Sequence, residues 1–332
     1  MSYWLLSGQF DPQEAARKFS GAGLRVPRFL IDSGVYSARQ KNVAIGVEGY
    51  AGWLRTRNWG RFLQAAIDVD YPSDHEIVKR HTATLRLALG AGRTWPVLHP
   101  FMTDAQVESV CDAYRWCAVG NSGTGLATDN QTEFLHNREA YLRRLRWYHR
   151  VHSLAYRYGT RLHALGTGGA GELMRSFDWA SADASMLAAV QRYGVLWLWD
   201  GQKLACHLGG TRATQRRVSK RTADGITLVS KQAGFRGFRP EKVRDLAVRH
   251  RFSVRRVLED LTYRSAVSVV HIAKMERYYD QRNSRGFIFF VADRNVNRVV
   301  EAYKMAVGLV ARRDGLEGAR PGAGCAEEGE ET

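Results

Sequence analysis

Cysteine is scarce in this chain: among 332 residues the thiols are Cys111, Cys117, Cys206 and Cys325. Four scattered cysteines are too few for a disulfide framework. No CxxC pair occurs, and the one adjacent Cys-His is Cys206-His207. A structural zinc needs four converging ligands, so no metal and no other cofactor is expected. Long apolar runs are missing too. Nothing approaches the ~18 residues of a membrane span, which argues against a membrane partner. Met1-Ser2-Tyr3-Trp4-Leu5-Leu6 carries no basic n-region and lacks the length of a signal peptide, so a cytoplasmic location is expected. No internal repeat is found. With 45% hydrophobic and 25% charged residues the composition is that of a globular protein.

What recurs is a short apolar run ending in polar residues and a turn. Phe29-Leu30-Ile31-Asp32-Ser33-Gly34 is the clearest case. Ala65-Ala66-Ile67-Asp68, Trp95-Pro96-Val97-Leu98-His99, Cys117-Ala118-Val119-Gly120-Asn121 and Leu162-His163-Ala164-Leu165-Gly166 follow the same plan, and Ser181-Ala182-Asp183 is a shorter version. Helical patterns separate them, as in Val47, Tyr50, Ala51 and Leu54. Strands alternating with helices, with polar groups at the strand ends, predict an α/β fold, specifically a TIM-type (β/α)8 barrel over residues 1–208. Gly194 to Trp199 and Lys203 to His207 read as a hairpin turning at Asp200-Gly201. Residues 209–312 read as a basic arm followed by a mainly helical extension, with an apolar Phe287-Ile288-Phe289-Phe290 run inside it. Residues 313–332, with Glu327-Glu328 and Glu330-Glu331, read as a disordered acidic tail.

Acids are in short supply: 33 against 49 Lys and Arg, a net charge of +16. From Lys203 to Arg256 fifteen basic residues meet only Asp224, Glu241 and Asp245. Arg212, Arg216, Arg217, Lys220, Arg221, Lys231, Arg236 and Arg239 form the densest part. Such self-repulsion is offset by a polyanion, and nucleic acid is the usual one. The alternative is a solvated basic face in a protein from an arginine-rich proteome.

Asp32 and Asp183, at the ends of different strands, suit a double displacement at an anomeric carbon. One carboxylate attacks the sugar and the other handles the proton of the leaving group. Strand-end acids also serve as metal ligands or as helix caps, and pattern alone leaves these open.

Ile31-Asp32-Ser33-Gly34-Val35-Tyr36 resembles the DSGGF motif of the tRNA-guanine transglycosylases. Ala66-Ile67-Asp68-Val69-Asp70-Tyr71-Pro72 is similar to that family's base-recognition strand, and His99 falls where the family has a polar base-binding residue. Ala118-Val119-Gly120-Asn121 and Ala164-Leu165-Gly166 resemble its glycine-containing strands. Ser181-Ala182-Asp183-Ala184-Ser185 stands at its nucleophile, and Arg192-Tyr193-Gly194 with Trp199-Asp200-Gly201 at the hairpin beyond. These anchors keep their order over residues 3 to 207. The PVLH, AVGN and SADAS versions look like the phage and bacterial DNA-modifying branch, the DpdA-type transglycosylases, which place a 7-deazaguanine in DNA. The zinc-binding subdomain of the tRNA enzymes has no counterpart here, and Val35 replaces a glycine.

The resemblance implies that Asp183 attacks the deoxyribose while Asp32 protonates departing guanine and deprotonates the incoming base. It implies that Asp68 reads the purine N1/N2 edge, with Ser33, Gly34, Tyr36, Asp70, His99, Gly120, Asn121 and Gly166 completing the substrate site. Tyr36 or Trp199 is expected to stack on the purine. The implied partners are DNA, single-stranded or with a flipped guanine, a 7-deazaguanine such as 7-cyano-7-deazaguanine, and an accessory protein. A tRNA substrate, or a non-catalytic nucleic-acid-binding module, are the alternatives. Asp70 also fits a turn cap before Pro72, and His99 a hydrogen-bonded strand-end residue. His163, inside a strand, reads as structural. Gly168, Gly169 and Gly171 fit a tight turn better than a phosphate cradle.

Overall fold

The computed structural model describes residues 3–7, 11–34, 45–57, 59, 62–69, 74–120, 138–166, 171–184, 186–193, 195–199, 201, 204–208, 240–283, 285–292 and 295–318. The apolar runs become strands: β1 (Tyr3–Ser7), β2 (Arg28–Asp32), β3 (Leu63–Ile67), β4 (Thr94–Trp95), β5 (Val97–Leu98), β6 (Trp116–Val119), β7 (Arg161–Ala164) and β8 (Ser181–Ala184). Val195–Trp199 and Leu204–Leu208 follow as β9 and β10, and Ile288–Ala292 as β11. One sheet has the order β4-β3-β2-β1-β11-β8-β7-β6-β5, and its neighbouring strands pair in parallel. The protein is therefore an α/β fold on a parallel sheet. The two ends of that order, β4 and β5, are neighbours in the chain. Only Pro96 separates them, and a proline has no N–H to give to a ladder.

Alternation along each strand sorts the residues between two apolar cores. Phe29 and Ile31, Cys117 and Val119, Leu162 and Ala164, and Ala182 and Ala184 face the helix layer. Leu30, Ala65, Ile67, Trp95, Val97, Ala118 and Phe290 form a second cluster on the opposite face. There Trp95 stacks on Trp116 at 4.6 Å and meets Phe290 edge-on at 6.2 Å, although β11 lies four places from β4 in the sheet order.

Several helices are amphipathic and carry side-chain caps. Asp11 caps α1 (Pro12–Gly21), and α2 (Val47–Thr56) buries Val47, Tyr50, Ala51 and Leu54 at the spacing of one helix face. Asp74 caps α3 (His75–Leu89), and Thr103 with Gln106 forms a capping box on α4 (Asp104–Ala113). The chain continues through α5 (Arg138–Arg157), α6 (Gly171–Ser176), α7 (Met186–Tyr193), α8 (Pro240–His250), α9 (Val254–Glu259), α10 (Leu261–Arg282) and α11 (Val296–Gly318). No helix among the described residues is long and apolar enough to cross a membrane.

Three expectations are corrected here. The division at residue 208 fails, because β11 from the expected extension sits inside the sheet, between β1 and β8. The reason is its composition: Phe289 and Val291 fill the helix-side core while Phe290 fills the opposite one, so the run needs two apolar faces. The helical region is likewise not a separate module. Tyr263 and Val267 of α10 pack with Leu196 and Leu198 of the antiparallel β9–β10 hairpin and with Val257 of α9. Finally, α11 runs through residues 313–318, past the expected start of the tail. Residues 319–332 lie outside the described residues, as do 211–239.

Under the N-terminal ends of β7 and β8, His152 of α5 stacks on Phe177 at 5.2 Å and meets Trp179 edge-on at 4.4 Å. Burial first, then the neighbouring His149, push its imidazole down from 6.5 to about 3. A depressed histidine is neutral in the folded protein while the unfolded chain still takes up a proton. Its stabilisation is complete above the ordinary histidine range and is lost as pH falls toward the folded value. From about pH 7 to about pH 4.5 this amounts to roughly 2–3 kcal/mol. Urea unfolding across that range should show the slope, and His152→Phe should remove its share. A chain ended at residue 208 should lack any cooperative thermal transition by circular dichroism, since β1 and β8 then face each other across a missing strand.

Candidate active site at the strand ends

Parallel pairing brings the C-terminal ends of the strands to one edge of the sheet, where the acids and glycines of the recurring plan collect. Asp183 is the best-defined of them. It lies on β8 two residues beyond Ser181, so alternation puts both on the face opposite the helices. Register sets His163 of β7 beside Ser181. His163 Nδ1 lies 2.8 Å from Ser181 Oγ, and its Nε2 lies 3.2 Å from Asp183 Oδ1. The N–H of Gly166 donates to the same Oδ1 at 2.8 Å. Gly166 reaches that position with φ +65°, a left-handed turn that a side chain would strain.

An ionised Asp183 only accepts, so Nε2 of His163 carries the proton toward it, and in the neutral ring Nδ1 accepts from the Ser181 hydroxyl. The order Ser–His–Asp is that of a hydrolase triad, but the geometry inverts the roles. Ser181 and His163 are 0% exposed, while the Asp183 side chain keeps 9% of its surface. Ser181 is thus a sealed support, while the carboxylate of Asp183, though buried, keeps a small exposed surface. Among the described residues Asp183 Oδ2 accepts no hydrogen bond.

Asp32 ends β2 on the same face as Leu30 by alternation, followed by buried Ser33 and by Gly34 at φ +76°. In the strand order β1 and β11 lie between Asp32 and Asp183. Beneath Asp32 the Tyr50 hydroxyl donates to the Ile31 carbonyl at 3.2 Å. Burial, then the charges of Asp32 and Asp68, hold that phenol well above its usual range, so it stays a donor.

Asp68 is placed differently from the expectation. It is 0% exposed; Oδ1 accepts from the Val69 N–H at 2.6 Å and Oδ2 from the Thr82 hydroxyl of α3. The carboxylate therefore ties β3 to α3 and does not present its oxygens at the open edge. His99 is also fully buried, its ring stacked on Phe101 at 5.2 Å. Gly120 lies against that ring: a Cβ there would stand 3.0 Å from His99 Cε1, His99 Nδ1 and Val97 Cγ1. Trp199 is no stacking platform. It packs on Tyr278 and Tyr279, and its backbone N–H donates to His271 Nδ1 at 3.0 Å.

Tyr36, Asp70, Asn121 and the basic residues Arg212, Arg216, Arg217, Lys220, Arg221, Lys231, Arg236 and Arg239 lie outside the described residues. Sequence reasoning missed His163, Ser181, Tyr50 and Thr82. The spacing of Ser181 and Asp183 signals a shared face, but only register reveals the histidine between them. Among the described residues no group of three or more His, Cys, Asp or Glu is disposed to hold a metal. Comparison with protein-family models, with characterised proteins and with solved structures returned no match.

Gly120→Ala should force the His99 ring off Gly120 and cost about 1–3 kcal/mol, the usual penalty for overfilling a packed site. Denaturant unfolding measures it. An unchanged midpoint would mean that the ring shifts freely.

Proposed function

We propose that the chain is a guanine transglycosylase that exchanges guanine in DNA for a 7-deazaguanine, working at the mouth of a (β/α)8 barrel. Closure of the barrel is supported by the strand order. Counted as two halves of one strand around Pro96, β4 and β5 join the ends of the sheet, and β1, β2, β3, β6, β7, β8 and β11 complete eight. Trp95, in contact with both Trp116 and Phe290, fits an interior residue of such a ring.

The observation that carries the catalytic reading is the fixed carboxylate of Asp183, with Oδ1 held by Gly166 and His163 and with Oδ2 accepting no hydrogen bond among the described residues. In the proposed reaction Oδ2 bonds to C1′ of a deoxyguanosine as the C1′–N9 bond breaks. The pair of electrons leaves with guanine, and Asp32 supplies the proton it needs. The incoming 7-deazaguanine then gives a proton to Asp32 and attacks C1′ through N9, releasing Asp183. Two inversions give net retention. His163 acts as a positioning residue. Asp68 braces the floor through Thr82 in place of the purine-reading role that the resemblance implies. A target inside a duplex must be flipped out to reach the mouth. The +12 excess between Lys203 and Arg256 favours a polyanionic substrate and is the ground for nucleic acid.

The test is incubation with guanine-containing DNA and 7-cyano-7-deazaguanine, with tRNA in parallel, followed by digestion to nucleosides and mass analysis. A mass change in DNA nucleosides alone is expected. Asp183→Asn should abolish exchange, and Asp32→Asn should slow it about 10²–10⁴-fold, the usual share of a general acid/base. Exchange in tRNA alone would reverse the choice of polymer, and full activity of Asp183→Asn would sink the mechanism.

A further inference from the structure

At the opposite edge of the sheet, where β7, β8 and β11 begin, two cavities lie side by side. One of about 420 Å³ is lined by Tyr156, Arg161, Phe177, Asp178 and Arg285, among others. The second, about 260 Å³, is lined by Arg175, Tyr279 and Arg282 and shares Ser176, Phe177, Asp178 and Asn283 with the first. The shared wall makes them two bays of one groove. The larger lies in the range of about 300–1,000 Å³ typical of ligand pockets.

The lining is chemically one-sided. Among the described lining residues there are four arginines, Arg161, Arg175, Arg282 and Arg285, and one carboxylate, Asp178. Two of the guanidinium groups are already organised on aromatic rings: Arg285 stands 5.7 Å from the Tyr156 centroid and Arg282 4.6 Å from that of Tyr278. Arg161 is held by the carbonyls of Arg285 and Gly286 and lies 4.3 Å over Trp116, which fixes the Arg285 segment. Tyr156 is 74% exposed, an unusual state for a tyrosine beside a cavity. Among the described residues, those that bond Asp183, namely His163 and Gly166, take no part in this lining.

Cations spaced along a groove, with aromatic faces between them, match the alternation of phosphate and base in a nucleic-acid single strand. We propose that this groove is a second nucleic-acid site, binding single-stranded phosphodiester with a base stacked at Tyr156 and Phe177. It rests on geometry separate from the transglycosylase reading and needs no base exchange.

The test is fluorescence anisotropy with a labelled 12-nucleotide strand of thymidines, which offers no guanine to the Asp183 site. Titrations are run at several salt concentrations on the full chain. The triple variant Arg175→Ala, Arg282→Ala, Arg285→Ala should bind at least tenfold more weakly. Its slope of log affinity against log salt should shrink by about 2, the loss of three phosphate contacts on a single strand. Tyr156→Ala should weaken binding about fivefold or more with the slope kept. A control triple, Arg17→Ala, Arg55→Ala, Arg80→Ala, removes the same charge from exposed positions on α1, α2 and α3. An equal loss in that control, or wild-type affinity and slope in the groove triple with native circular dichroism, overturns the proposal.

Discussion

The pairing of β11 between β1 and β8 is the constraint on which the rest depends. It joins the first strand of the chain to a strand nearly 290 residues later. Without it the sheet would split into β4–β1 and β8–β5, and Asp32 and Asp183 would belong to separate pieces. The cost of closing so long a loop is met by burial on both faces: Phe289 on the helix side and Phe290 on the other are both 0% exposed. Parallel pairing then does the functional sorting, because it sets every strand end at one edge. The acids and glycines gather there, while Arg161 at the start of β7 meets Arg175, Arg282 and Arg285 near the other edge.

At the first edge, polar groups enter a sheet interior that is otherwise apolar. A buried imidazole needs partners on both nitrogens, and Ser181 and Asp183 supply them. The result is a short polar chain running from a sealed serine to a carboxylate that keeps slight exposure. Its order matters more than its membership, since the same three residue types reversed would suggest a serine nucleophile. Asp68 illustrates the opposite outcome. It stands at an equivalent strand end, but a hydroxyl on the neighbouring helix and the next backbone N–H engage its two oxygens, and it becomes a brace.

Much of the fold was legible because local rules suffice for it. Short β-rich runs bounded by turns gave strands β2 to β8, the spacing of Val47, Tyr50, Ala51 and Leu54 marked α2, and Asp200-Gly201 marked the hairpin. The errors share one cause. Phe287-Ile288-Phe289-Phe290 looks like a strand in any setting, and nothing local says which sheet it joins. Within the expected helical extension nothing local marks Asp260 as the break where α9 ends and α10 is capped. Of the site, Asp32 and Asp183 were readable from their places at the ends of apolar runs. His163 was not, because its significance comes from a neighbour in register 18 residues away.

By itself the sequence determined the α/β class, the acids at strand ends and the uneven basic charge, since periodicity, turn residues and net charge are local or additive properties. Tertiary structure alone decided that residues 288–292 belong to the sheet, that Asp183 is steered by His163 and Gly166, that Asp68 is tied to Thr82, and that four arginines share one groove. Each of these depends on strand register and on which face of a helix meets the sheet. Those are set by the simultaneous burial of many side chains, and no stretch of chain carries that information alone.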